Sequence, residues 1–220
     1  MTKPEEAVRE PVLSPVDRVS ELLFGLFMAL TFVGAVSVAD AGRQQIHSMF
    51  VAALGCNLAW GLVDAVMYLV RTVTDRGRKL TLVRSVRDAP SAEAGRALIA
   101  RSLSNVFAGF VSPVEIETVR TRVVALSSVP PRPKLQSGDL LAALAIFLLV
   151  VASTFPIVLP FALIQDVPVA KNTSRGIALA MLFLGGLALG RYAGYGSWRA
   201  GLLMVGLGTV LVGVINALGG

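Results

Sequence analysis

The residues able to do chemistry are few, and they stand inside apolar runs. Asp64 follows Asn57 by seven positions and Gly61 by three, so at 3.6 residues per turn the three share one helix face, with Met67 one turn further on. A carboxylate within a membrane span is costly unless it is paired, hydrated, protonated or turned to a cavity, which makes Asp64 a functional residue by default. A carboxylate, an amide oxygen and a thioether together form a donor set for a transition metal: sulfur favours softer ions, and oxygen serves Mn or Fe. The plainer alternative is a helix–helix contact with one polar hydrogen bond and a core methionine. Glu21, Gly25 and Met28 make a second stripe. Glu21 alone also fits an interfacial carboxylate at a helix N-terminus.

The remaining polar groups carry weaker signals. His47 lies at the mouth of a span, where a lone histidine is ordinarily an interfacial residue. Cys56 is the single cysteine, so it offers neither an internal disulfide nor a cysteine-based metal site, and it is expected to be a small buried hydrophobe. Thr31, Ser37, Ser153, Thr154 and Asn216 are expected to make interhelical hydrogen bonds. No nucleophile–base pair, zinc-ligand spacing or phosphate loop occurs, so neither an enzyme nor a cofactor is expected.

These residues must be positioned by membrane helices. The 220-residue chain is 55% hydrophobic and only 15% charged, against about 25% charge in soluble domains. The longest uncharged run lies between Asp139 and Asp166 and is interrupted by Pro156 and Pro160. About 20 apolar residues cross a bilayer, so the run is a span whose prolines leave backbone groups for neighbouring protein or polar side chains to satisfy. Similar runs at 19–39, 49–70, 176–194 and 200–217 give an all-α polytopic protein with five expected spans. Gly186, Gly190 and Gly194 in the fourth, and Gly206, Gly208 and Gly213 in the fifth, predict close backbone approach in an antiparallel terminal hairpin.

Charge distribution orients the chain. Seventeen Lys/Arg precede the first span or lie between spans two and three and between four and five, against three on the other side. The expectation is a cytoplasmic N-terminal arm over 1–18, a basic cytoplasmic insertion over 71–137, spans again over 138–220, and a C-terminus on the opposite side. A bacterial inner membrane is the expected location. The formal charge of +6 thus reflects topology, and no nucleic-acid partner is expected. The insertion is expected to hold two amphipathic helices. The first lies within 91–110, with Leu98, Ile99, Leu103, Val106 and Phe107 near one face. The second begins with the capping box Ser112-Pro113-Val114-Glu115. Anionic membrane lipids should attract Arg71, Arg76, Arg78, Lys79, Arg84 and Arg87, although the same cluster also simply enforces topology.

Three features resemble the vacuolar iron transporter family: five spans with a long insertion between the second and third; the third-span ending Phe155-Pro156-Ile157-Val158-Leu159-Pro160-Phe161; and the glycine-rich tail with its Arg-containing turn around Gly196-Ser197-Trp198-Arg199. The resemblance is moderate over 139–220 and weak over 19–70. It implies a homodimer whose first spans line a path for a divalent metal cation, Fe(II) or Mn(II), with proton exchange as a coupling option. The family's first span starts with Asp-Gly, whereas Phe24-Gly25 stands here. Its second span ends Gly-Glu-Tyr-Leu, whereas this chain has Val66-Met67-Tyr68-Leu69 and its acid at Asp64. The family's glutamate-rich insertion is replaced by a basic one. The implied site is therefore a rearranged metal site of Asp64, Met67, Asn57, Glu21 and Met28. The alternative function is a non-transporting membrane assembly or interaction protein that retains the fold.

Overall fold

The computed structural model describes residues 13–35, 43–103, 109–194 and 196–218, with side chains at 34–50, 53 and 193 left undescribed. The expectations for Ser37, Val106, Phe107 and the His47 side chain fall outside the described residues. Those that are described form an all-α chain: α1 Pro15–Ala35, α2 Arg43–Arg87, α3 Ala92–Ser102, α4 Pro113–Val124, α5 Ser137–Leu163, α6 Val167–Ala193 and α7 Ser197–Ala217. Among them α5, α6 and α7 are long and apolar enough to cross a membrane, consistent with an integral membrane protein. The chain divides into two compact units, Tyr68–Ser137 and the remainder.

Several helix boundaries depart from the sequence expectation, two of them in the long apolar helices. The helix containing 49–70 does not stop at Arg71 but runs 45 residues to Arg87. Charge does not break a helix whose backbone groups pair internally, and no proline lies within it; Pro90, three residues past its end, disfavours helical conformation at Ala89. The fourth apolar helix begins at Val167 rather than near Gly176. Asp166 caps it by accepting from Val169 N at 2.9 Å, and Pro168 fills its first turn. Lys171 and Arg175 are therefore helical residues, not loop residues.

The core of the membrane-type unit joins α1, α5 and α6. Leu26, Leu30 and Val33 are fully buried with Ile157 and Leu182. Helices α6 and α7 form the expected hairpin, turned by Gly194 (φ 73°) and Gly196 (φ 82°), left-handed conformations that a Cβ would strain. The glycines divide by role. A Cβ on Gly186 would lie 2.7 Å from both the Ala200 carbonyl oxygen and the Gly201 Cα, and one on Gly190 would lie 2.7 Å from the Ser197 Cα. Gly208 faces Leu182, whereas Gly206 and Gly213 face open space. At the open end of the hairpin, Arg175 Nη2 donates to Asn216 Oδ1 at 3.0 Å, the interhelical bond expected of Asn216. Ser174 donates its hydroxyl to the Ile157 carbonyl between the two prolines of α5, supplying a donor to backbone weakened on either side.

In the other unit, α3 and α4 pack together. Ser91 caps α3, which ends at Ser102, short of the expected 110. Ser112 caps α4, with Ser112 Oγ accepting from Glu115 N while Glu115 accepts from Ser112 N at 2.7 Å, the full capping box. Glu117 accepts from Arg120 Nη2 at 2.6 Å and from Arg96 Nη1 on α3 at 3.1 Å.

Replacing Gly186 by Ala should destabilise the hairpin by about 1–3 kcal/mol through overpacking, whereas Gly206→Ala should be neutral or mildly stabilising. Equilibrium unfolding of each variant in mixed micelles measures the difference, and equal effects would contradict this packing. A second expectation concerns pH. The Arg120 hydrogen bond, followed by that from Arg96, holds the Glu117 pKa down from its ordinary 4.5 to about 2. A depressed carboxylate pKa gives stability that is present above 4.5 and lost as pH falls toward 2. NMR shifts of α3 and α4 amides should therefore move together across that window, and Glu117→Gln should flatten the titration.

Candidate functional site

Helices α1 and α2 both dock on one turn of α5. Gly25 of α1 meets it without a side chain of its own: a Cβ there would collide with the Ser153 hydroxyl and lie 2.9 Å from the Val150 carbonyl oxygen. On α2, Asn57 is 5% exposed and donates through Nδ2 to the Val150 carbonyl at 3.3 Å and to the Thr154 hydroxyl. The Thr154 hydroxyl in turn donates to the Val151 carbonyl at 2.6 Å, leaving its lone pair for the amide. One turn along α2, Gly61 lies against Phe147 and Val151. The stripe Asn57–Gly61 is therefore turned to α5, as is the stripe Gly25–Met28 of α1.

Where these stripes converge, Met28, Cys56, Asn57 and Thr154 line a crevice of about 20 Å³, closed by Ala29, Phe32 and Val158. That is room for about one water molecule or a dehydrated ion. Among the described residues, the buried Asn57 Oδ1 atom finds no hydrogen-bond partner. A buried acceptor left unmade costs about 1–3 kcal/mol. Two sulfurs and two neutral oxygens give a soft, uncharged donor set.

The expected site residues are thus divided. Met28 and Asn57 meet in the crevice. Asp64 is half-buried on the same helix, about 10 Å further along its axis at 1.5 Å per residue. Glu21 is half-buried on α1, about two turns from Met28. Met67 is 46% exposed and lies outside the crevice. Among the described residues, no cluster of three or more His, Cys, Asp or Glu side chains is assembled to hold a metal.

Two corrections follow for residues undervalued in the sequence. Cys56 is not a buried hydrophobe but an exposed thiol that also borders the crevice. Its neighbour Asn57 faces α5, and a 100° step per residue turns Cys56 away from that contact, toward α1. Thr154 does make the expected interhelical hydrogen bond, but it is also a wall of the crevice. Position i−2 from Pro156 was the available signal, since a hydroxyl there can compensate weakened helix bonding. Phe24 and Trp60 add an edge-on contact between α1 and α2, with ring centroids 6.4 Å apart.

No family model matches this chain, and no curated protein matches it in sequence.

A double-mutant cycle on Asn57→Ala and Thr154→Val should give a coupling of about 0.6–1.7 kcal/mol, the range of hydrogen bonds between membrane helices. Unfolding of the two single variants and the double variant in bicelles measures it. Strict additivity would remove this bond as the strut between α2 and α5.

Proposed function

We propose that the chain is a five-span secondary carrier of a divalent transition metal, Fe(II) or Mn(II), and a divergent member of the vacuolar iron transporter family. The observation that carries this reading is the buried, unsatisfied Asn57 Oδ1 in a crevice shared with Met28, Cys56 and Thr154. Borderline Fe(II) suits a mixed set of thioether and neutral oxygen donors, whereas hard Mn(II) would rest on the oxygens alone, and uncharged donors hold either ion weakly enough to release it. Among the described residues no carboxylate lines the crevice, so charge compensation falls to Asp64 on the same helix stripe. Asp64 and the crevice then act as successive stations rather than as one cage. Glu21 stands on the α1 stripe as a further acid, and Met67 serves an exposed approach rather than the inner station. In this reading α1 and the first part of α2 complete the five spans, the N-terminus is cytoplasmic and the C-terminus opposite. The exposed apolar residues of α2, α5 and α7 face lipid or a second copy in a homodimer.

Movement would concentrate at α5. Pro156 and Pro160 each remove a helical N–H, and the crevice lies beside them, with Thr154 and Val158 on its wall. A continuous helix weakened by two prolines beside a small polar site supplies the local flexibility that alternating access needs.

One observation favours the non-transporting reading. Asn57 Nδ2 is fully used in a helix–helix strut with α5, the bond expected in a static assembly protein.

Uptake of Fe(II), Mn(II), Zn(II) and Co(II) into proteoliposomes, with and without a pH gradient, separates the readings. The carrier reading expects flux selective for Fe(II) or Mn(II), reduced to the protein-free baseline by Asp64→Asn and lowered by Met28→Leu. Folded protein that moves none of the four ions would sink it in favour of the assembly role.

A further inference from the structure

The unit formed by Tyr68–Ser137 carries twelve Lys/Arg against five Asp/Glu. Excess charge alone is explained by topology, but here part of it is built into a groove. The return segment after α4 contains Pro130, Pro131 and Pro133, which hold it extended. Two side chains of α2 fasten it: Arg84 Nη2 donates to the Pro130 carbonyl at 2.6 Å, and Arg76 Nη1 donates to the Lys134 carbonyl at 2.7 Å. Gly77 lies between these anchors, and a Cβ on it would sit 3.8 Å from the Pro133 ring. The segment is thus pinned alongside α2 at both ends.

Between the pinned segment and α2 runs a groove of about 470 Å³, within the range of small-ligand sites. Arg76, Lys79, Arg132 and Lys134 line it, on a floor of Leu80, Val83 and the prolines. Among the described residues no carboxylate lines it, and Asp75 lies outside. The like charges of Lys79, Arg132 and Lys134 held around one apolar cleft repel one another, and an anion seated among them relieves that repulsion. The Arg132 guanidinium offers a planar fork that fits phosphate oxygens, and the two ammonium groups supply point charges.

We propose that this groove binds a phosphate-bearing anion whose apolar portion rests on Leu80, Val83 and the proline wall. The phosphate pairs with Arg132, Lys79 and Lys134, which are exposed and reach it without desolvation of a buried charge. Arg76 serves both as anchor of the wall and as part of the basic rim. The inference is independent of the carrier reading, because the groove lies wholly within Tyr68–Ser137. An anionic phospholipid headgroup and a soluble phosphate compound share the required chemistry.

The test uses the full chain in neutral detergent. Lys79 and Lys134 are labelled with an amine-reactive reagent and quantified by mass spectrometry. Labelling is repeated with short-chain phosphatidic acid, short-chain phosphatidylcholine and inorganic pyrophosphate. Protection by phosphatidic acid but not by pyrophosphate supports the site with a lipid source. Protection by pyrophosphate supports it with a soluble source. Direct binding of the protecting compound should weaken by at least about tenfold in Arg132→Glu and in Lys79→Glu, the loss expected for one charge-assisted contact. Arg122→Glu, on α4 outside the groove, should leave affinity unchanged, with circular dichroism confirming helicity in all three. No protection by either phosphate compound, equal protection by phosphatidylcholine, or equal weakening by Arg122→Glu would overturn the proposal.

Discussion

The membrane-type unit depends on the α5 turn from Val150 to Thr154. There the α1 backbone approaches because Gly25 has no Cβ, and the α2 helix approaches because its amide finds both a carbonyl and a hydroxyl. The two contacts are different in kind. The first is steric: a methyl group at Gly25 would occupy the space of the Ser153 hydroxyl. The second is electrostatic: in a low-dielectric interior a buried amide that lost its partners would cost more than the bond contributes when formed. Between them they set the spacing of α1 and α2, and the crevice is the gap that this spacing leaves.

The same turn explains why the crevice is polar on one side only. Serine and threonine hydroxyls at 153 and 154 bond back to Val150 and Val151, so they sit in an otherwise apolar helix without exposing free donors. Such back-bonding loosens helices slightly, and Pro156 follows two residues later. The polar wall and the proline-weakened turn therefore occupy one short stretch of α5, against which Asn57 of α2 packs. A carbonyl-rich, weakly bonded stretch next to a cavity is where irregular backbone is tolerated in an apolar surrounding. The terminal hairpin obeys another rule, in which Gly186 and Gly190 permit van der Waals approach with no polar bond at the contact.

The basic unit is held by different forces again. Its helices α3 and α4 are short, capped by serine side chains and joined across Glu117. Their surfaces are exposed, so each ion pair adds little by itself, and local capping carries much of their order. The arginines that fasten the proline segment use backbone carbonyls as acceptors rather than carboxylates. The charge of the groove therefore rests on Lys79, Arg132 and Lys134, which line it beside the anchoring Arg76.

Periodicity and composition sufficed for the existence of the apolar helices, the α6–α7 hairpin and the α4 capping box, because each is set by neighbours within a few residues. The stripe Asn57–Gly61–Asp64 was legible for the same reason, since helical spacing fixes which residues share a face. Local rules did not fix where helices end. Arg71 and Arg76 looked like a terminus, yet a helix continues through charge whenever its backbone bonds remain intact; and the start at Val167 was set by a cap at Asp166 in a stretch that hydropathy alone reads as loop. Nor did spacing decide partners. Met28 and Met67 were equivalent in sequence, but α1 brings one to Asn57 while the other stays exposed, and Cys56 gained a place at the crevice that composition did not suggest. Which glycine is a contact and which faces open space, Gly186 or Gly206, likewise depended on the neighbouring helix. The sequence determined the helices and their faces because those follow from bonds along one chain segment; the tertiary structure alone decided which faces meet, because that depends on packing between segments distant in sequence.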